Sequence, residues 1–577
     1  MMMVRRIALA VGLMLLGRVA LSAAPLPEII NGAVYNFWQD ADHVRGIWRT
    51  TTIADYVSAT PSWTTVLDLD ALASTEKKNW VWEGADCDSP STTRCLIFLS
   101  DGGADATTVR EFDLTTERFV DDGFVLPNGK QNVAWADENT LLVAREWTPG
   151  DLTRSSYPYI VKRVTRGQPL TEAADVFAGT KDDVRAGPFE LRDGSGHRVL
   201  FIDEGTSFFD HRSFVVTSAG VEPIAMPAKA HIAGLVAGQV LITLDEPWRL
   251  GTKVIPSGSL ASVDLAALLA DPQHLQPVAV YVPGPRESLA TLATTRGQVL
   301  ITLLDNVRGR AAIYTPVGGG WSHRALPLPD DVALDLVSAN EDGADVMLTV
   351  SGFLTPTTLY RVDADAGTAS AIKALPARFD ASHDVVEQRE AISKDGTHIP
   401  YFLVRPKSMR FDGTTPTILD AYGGFGVSST PYYSGTRGKL WLARGGAYVL
   451  ANIRGGGEFG PAWHDAGLKT HRQVICDDFA AVGRDLIAHR ITSPRHLGIV
   501  GGSNGGLLMG VEFEQHPDLW NAVQIEVPLL DMLRYEQIEA GASWVGEYGS
   551  VSVPAERAFL AKISPYANIK RGVRYPR

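Results

Sequence analysis

Cysteine is nearly missing from this chain: three in 577 residues, at Cys87, Cys95 and Cys476. No two form a C-x-x-C pair, so a zinc or iron–sulfur site built on cysteine is not expected. Cys87 and Cys95 bracket the turn-rich stretch Cys-Asp-Ser-Pro-Ser-Thr-Thr-Arg-Cys. That stretch suits a disulfide in an oxidising compartment and two free thiols in a hairpin equally well. An excess of positive charge is also missing. The net charge is −13, which argues against nucleic acid or an anionic membrane surface as a partner. Beyond the N-terminus no apolar run approaches the length needed to span a bilayer.

What is present is ordinary for a globular protein, with 45% hydrophobic and 21% charged residues. The length is too great for one core and implies two domains. At the N-terminus Arg5-Arg6 precede an apolar run from Ile7 to Leu16, Gly17-Arg18 interrupt, and Leu21-Ser22-Ala23-Ala24 supplies small residues. That order describes a secretory signal peptide over residues 1–24 and a periplasmic or secreted protein. The alternative is an N-terminal helix, or a misassigned start, in a cytoplasmic one.

From residue 25 to 384 the chain reads as short strands and turns. Apolar pieces stopped by Asp, Gly or Ser recur: Cys95-Leu-Ile-Phe-Leu-Ser, Thr140-Leu-Leu-Val-Ala-Arg, Val199-Leu-Phe-Ile-Asp, Val240-Leu-Ile-Thr-Leu, Val299-Leu-Ile-Thr-Leu and Asp345-Val-Met-Leu-Thr-Val. Their spacing of roughly 40 to 55 residues is the scale of a four-stranded propeller blade and gives roughly seven blades. There is no WD or kelch signature. Trp38, Trp48, Trp63, Trp80 and Trp82 read as blade packing. Asp264 reads as the N-cap of a short helix over Leu265–Leu269.

The pattern changes near Ser382. From 385 to 577, strands, glycine loops and helices alternate, as in an α/β fold with a mostly parallel sheet. Phe479, Val482 and Leu486 line one face of a helix expected over Asp477–Arg490. Leu497 to Val500 reads as a strand, followed by Gly501-Gly502-Ser503-Asn504-Gly505-Gly506 and then an apolar helix. Strand, glycine-flanked serine and helix in that order make the G-x-S-x-G nucleophile elbow of α/β-hydrolases, with Ser503 at its tip. The backbone N–H of Asn504, next after the nucleophile, is then one oxyanion donor.

With these motifs in view, the chain from about Tyr35 onward resembles the prolyl oligopeptidase family of serine peptidases. The resemblance is carried by Asp420-Ala-Tyr-Gly-Gly-Phe-Gly, Ala451-Asn-Ile-Arg-Gly-Gly-Gly-Glu-Phe-Gly, Ser493-Pro-Arg, the elbow, Ala542-Ser-Trp and Glu547-Tyr-Gly. It implies a seven-bladed β-propeller capping an α/β-hydrolase domain, and cleavage of short proline-containing peptides after proline. It implies the Tyr422 hydroxyl as second oxyanion donor. Phe425, Trp544 and Tyr548 match positions that stack on or enclose the proline ring, and Leu529 matches an apolar wall. A flat ring without an N–H suits such an uncharged aromatic pocket. No cofactor or metal is implied, and oligomeric state is not legible. Arg454 and Glu458 lie in a glycine loop that lacks the Gly-Lys-Ser/Thr ending of a phosphate loop. They read as an ion pair near the domain interface. His464 and His471 read as loop or surface histidines.

A serine nucleophile needs a base and an acid to orient it, and this fold orders them Ser, Asp/Glu, His. After Ser503 the one histidine is His516. It lies about 13 residues along the elbow helix, roughly 20 Å away. Asp518 fails for the same reason, and Asp531 falls one strand too early. The resemblance implies that acid, histidine and a substrate-binding arginine follow residue 577. The expectation is therefore a C-terminally truncated peptidase whose sheet exposes an edge. The alternatives are a catalytically inactive remnant acting as a propeller binding module, or another α/β-hydrolase such as an esterase.

Overall fold

A computed structural model describes residues 26–88, 93–538 and 540–576. The signal-like residues 1–24 lie outside it. Two architectures follow one another along the chain.

Seven antiparallel sheets, six of four strands and one of five, run in sequence order from Glu28 to Ala374. They are the blades of a seven-bladed β-propeller. The recurrent apolar pieces are the second strands of blades two to seven, such as Arg94–Asp101, Thr140–Arg145 and Asp345–Ser351. A second strand has a neighbour on each side and another blade over each face. It is therefore buried continuously rather than in alternation, as the run from Cys95 to Ser100 shows. The fifth blade carries a two-stranded insertion, Trp248–Leu250 with Lys253–Ile255. The short helix spans Leu265–Ala270, and the Asp264 carboxylate accepts the Ala267 N–H at 2.9 Å. Cys87 and Cys95 face each other across adjacent strands of blade two and are disulfide-bonded. Among the described residues, first and last blades share no sheet. Side chains close the ring: Val34 and Tyr56 of blade one pack with Val337, Met347 and Leu359 of blade seven.

The second architecture is a six-stranded sheet: β1 (Asp384–Ile392), β2 (His398–Pro406), β3 (Thr417–Asp420), β4 (Ala447–Ala451), β5 (Leu497–Gly502) and β6 (Ala522–Glu526). Its spatial order is β1-β2-β4-β3-β5-β6. β1 and β2 are antiparallel, and β4, β3, β5 and β6 run parallel. Helix α1 (Gln473–Ala488) buries Phe479, Val482 and Leu486 completely. It begins four residues before the expected start, because its N-terminal residue carries no side-chain cap to mark it. Helix α2 (Asn504–Gln515) follows β5 and is buried over its first nine residues. β6 is the outer strand, and Val527 just beyond it is 71% exposed.

The domains meet through mixed contacts. Phe353 of blade seven packs on Phe402 and Tyr448. Arg286 pairs with Glu390 at 2.7 Å, and the Ser288 hydroxyl donates to the Glu458 carbonyl at 3.1 Å.

Candidate active site

Ser503 alone connects β5 to α2. Its backbone sits at φ 56° and ψ −116°, a region that costs a non-glycine residue on the order of 1–3 kcal/mol. Surrounding structure compels it. The Ser503 N–H donates to the Glu526 carbonyl at 2.9 Å, tying the turn to β6. Backbones also approach too closely for side chains. A Cβ on Gly501 would lie 2.6 Å from the Gly505 carbonyl oxygen, one on Gly505 2.8 Å from that of Ala421, and one on Gly506 2.7 Å from that of Glu526. The turn thus lies at the carboxyl end of the parallel strands, where open α/β sheets place their sites.

Tyr422 lies two residues past the end of β3, the strand next to β5, and is buried. Its hydroxyl is hydrogen-bonded to Ser503. Burial pushes this phenol up to about 12, with the bond to Ser503 pulling the other way. It therefore keeps its proton at neutral pH and can donate. Asn504 heads α2. Its side-chain amide donates to the Tyr422 carbonyl at 2.6 Å, and its oxygen accepts from the Tyr548 hydroxyl at 3.1 Å and from the Arg472 guanidinium. A Cβ on Gly424 would strike the Asn504 amide nitrogen at 2.5 Å. The tyrosine loop and the elbow are therefore interlocked.

Phe425, Trp544, Tyr548 and Leu529 all enter one apolar cluster. Phe425 meets Tyr548 edge-on at 5.6 Å and holds a left-handed backbone, φ 56°. Tyr535, which sequence reasoning did not single out, packs on the other side of Tyr548 at 5.4 Å and donates to the Gly549 carbonyl. Two further unforeseen residues come from the propeller. Phe208 lies 5.3 Å from the Phe425 ring, and Phe209 lies 4.8 Å from His464. A signal was available: two adjacent aromatics in a turn, where polar residues are the rule.

His464 is not the surface histidine expected. It is buried, with Nε2 2.8 Å from Glu547 Oε2. Glu547 is itself fully buried and holds Arg472 at 2.7 Å. Burial acts to raise its carboxyl, but the hydrogen bond from His464 and the Arg472 charge outweigh that and hold it below the usual range. His471 is exposed, as expected. The expected Arg454–Glu458 pair is replaced by other partners. Arg454 binds Asp478 of α1 and Asp395 of the β1–β2 turn, both at 2.6 Å. Glu458 is buried and accepts the Ser429 N–H at 2.7 Å. Loop sequence alone did not reveal that α1 brings a nearer carboxylate. His516 follows the last residue of α2, at the end opposite Ser503. Asp518 is exposed, and Asp531 is engaged by Arg534 at 2.6 Å.

The profile of the N-terminal β-propeller domain of prolyl oligopeptidase matches residues 14–374, and that of the prolyl oligopeptidase family matches residues 431–577. An uncharacterised peptidase of Sinorhizobium fredii is 49% identical over 553 residues, which are 95% of this chain and 76% of that protein. A prolyl endopeptidase of Elizabethkingia meningoseptica is 36% identical over 254 residues, 44% of this chain and 36% of that one. The structure of a post-proline cleaving enzyme from Rickettsia typhi superposes with a TM-score of 0.89 at 34% identity. The match covers 96% of this chain and 82% of that one. On its propeller, its hydrolase sheet, its serine elbow and these matches, the chain belongs to the prolyl oligopeptidase family of serine peptidases.

Proposed function

We propose that this protein hydrolyses short peptides on the carboxyl side of proline through an acyl-enzyme on Ser503. The observation that carries this is the Tyr422 hydroxyl hydrogen-bonded to a serine in elbow geometry, beside the aromatic cluster of Phe425, Tyr535 and Tyr548, whose Tyr548 hydroxyl donates to the Asn504 side chain at 3.1 Å. The Ser503 oxygen attacks the carbonyl carbon of the residue whose side chain fills the cluster. The carbonyl oxygen becomes an oxyanion that accepts from the Asn504 N–H and the Tyr422 hydroxyl. Both donors are set before substrate arrives, so they add stabilisation where charge develops rather than in the ground state. The leaving amine departs as the C–N bond breaks, carrying the proton that Ser503 gave up, and water then releases the acyl group and restores the Ser503 hydroxyl. Phe425, Trp544 and Tyr548 enclose the proline ring and Leu529 forms an apolar wall. An aromatic enclosure rewards a flat, apolar ring and leaves a charged side chain at that position unpaired. The Ser503 proton passes to a base that is none of His516, Asp518 or Asp531, since the structure holds these away from the elbow or engaged elsewhere. The cross-strand disulfide and the signal-like start support a location outside the cytosol, periplasmic or secreted.

The test is turnover of a fluorogenic peptide carrying proline before the scissile bond, against the same peptide with alanine there. Ser503→Ala is expected to abolish turnover, and Trp544→Ala to erase the preference for proline. Turnover that survives Ser503→Ala sinks the serine mechanism. Equal rates on the two peptides sink the proline pocket.

A further inference from the structure

Behind the oxyanion donors lies a buried charged chain. Arg472 sits just before α1 with its guanidinium buried. One nitrogen donates to the Asn504 side-chain oxygen, another to Glu547 at 2.7 Å, and the guanidinium carbon lies 4.6 Å from the Tyr548 ring centre. Glu547 binds His464 through its other oxygen, and the His464 ring packs on Phe209 of the propeller. A buried ion pair of this kind adds little net stability, since desolvating both charges offsets their attraction. What it supplies here is direction. Arg472 reaches the Gly423 carbonyl directly at 3.5 Å, and the Asn504 side chain donates to the Tyr422 carbonyl at 2.6 Å. That side chain therefore joins the two residues that donate to the oxyanion.

We propose that Arg472, paired with Glu547, is a positioning residue: by clamping the Asn504 side chain it aims the Asn504 N–H and the Tyr422 loop at the oxyanion. This rests on the peptidase mechanism proposed above. A planar fork that reaches two acceptors in fixed geometry is needed, and an ammonium on a flexible stem does not replace it. Arg472→Lys should therefore keep the charge balance and lose the aim.

The experiment measures binding of a peptide aldehyde ending in prolinal to the full chain, beside a product peptide ending in proline. The aldehyde forms a hemiacetal: the Ser503 oxygen adds to its carbon and the serine proton ends on the new hydroxyl, so nothing is oxidised or reduced. That adduct uses the oxyanion donors, whereas the product peptide reports the pocket. Arg472→Lys, and Arg472→Met with Glu547→Gln to remove both charges together, are expected to weaken the aldehyde about 10- to 100-fold. They should weaken the product peptide by no more than about threefold, with thermal unfolding as a check on folding. In an Asn504→Ala background the Arg472 substitutions should have little further effect, because the side chain they chiefly act through is gone and the Gly423 contact left to them is long, 3.5 Å. Tight, serine-dependent aldehyde binding that the Arg472 variants leave unchanged overturns the proposal alone. So does equal weakening of both ligands, or full additivity with Asn504→Ala. Aldehyde binding unaltered by Ser503→Ala overturns the peptidase mechanism and this proposal with it.

Discussion

Tyr422 shows how much one side chain can decide. Its hydroxyl is hydrogen-bonded to Ser503, and burial keeps it protonated. Tyr422→Phe removes one atom and leaves the ring packed. The expected result is a 10²- to 10³-fold fall in kcat, about 3–4 kcal/mol of transition-state stabilisation, with KM little changed. Steady-state kinetics on the fluorogenic proline peptide check it, and a rise in KM at constant kcat would assign Tyr422 to substrate binding instead. Ser503 and Asn504 could be read as elbow residues from the sequence because that glycine motif is local, and Tyr422 could be singled out through the family resemblance. His464 could not. Its burial depends on Glu547 and on Phe209 of the other domain, both remote in sequence.

Among the elements, the glycine-rich loop that follows β4 carries the clearest pH signature. Glu458 accepts the Ser429 N–H through one oxygen, while its other oxygen has no partner among the described residues. Burial pushes its carboxyl from the ordinary 4.5 up to about 7. Between those two values the folded protein holds a proton that the unfolded chain has released. Stability therefore falls as pH rises through that window, by roughly 3 kcal/mol, and is level above it. Urea unfolding at pH 5 and pH 7.5 should show this loss, and Glu458→Gln should reduce the difference by about that amount. An unchanged difference would place the ionised carboxylate in the fold. Elements were legible in proportion to their burial. The second strands of the blades stood out because both faces are covered. Short outer strands such as Gly220–Pro223 did not, because they are mostly exposed and carry no apolar period.

The whole molecule depends on joints that no sheet hydrogen bond secures. The propeller ring closes by side-chain packing between blades one and seven, with Met347 fully buried there. Met347→Ala should cost about 2–5 kcal/mol, as a cavity in a core does. The loss should appear as a lower Tm and as earlier hydrogen exchange in Ala33–Trp38 and Asp345–Ser351 than in the middle blades. Uniform exchange across all blades would show that the ring unfolds as one unit. Sequence alone determined the two architectures and the elbow, because each rests on a period or motif within a few tens of residues. Only tertiary structure decided what surrounds them. Arg454 chose Asp478 over Glu458, His464 became an internal residue, and Phe208 and Phe209 reached from the propeller to the site. Those outcomes turn on which surfaces meet, and burial sets the charge and hydrogen-bond preferences of a side chain only after the chain has brought its distant partners together.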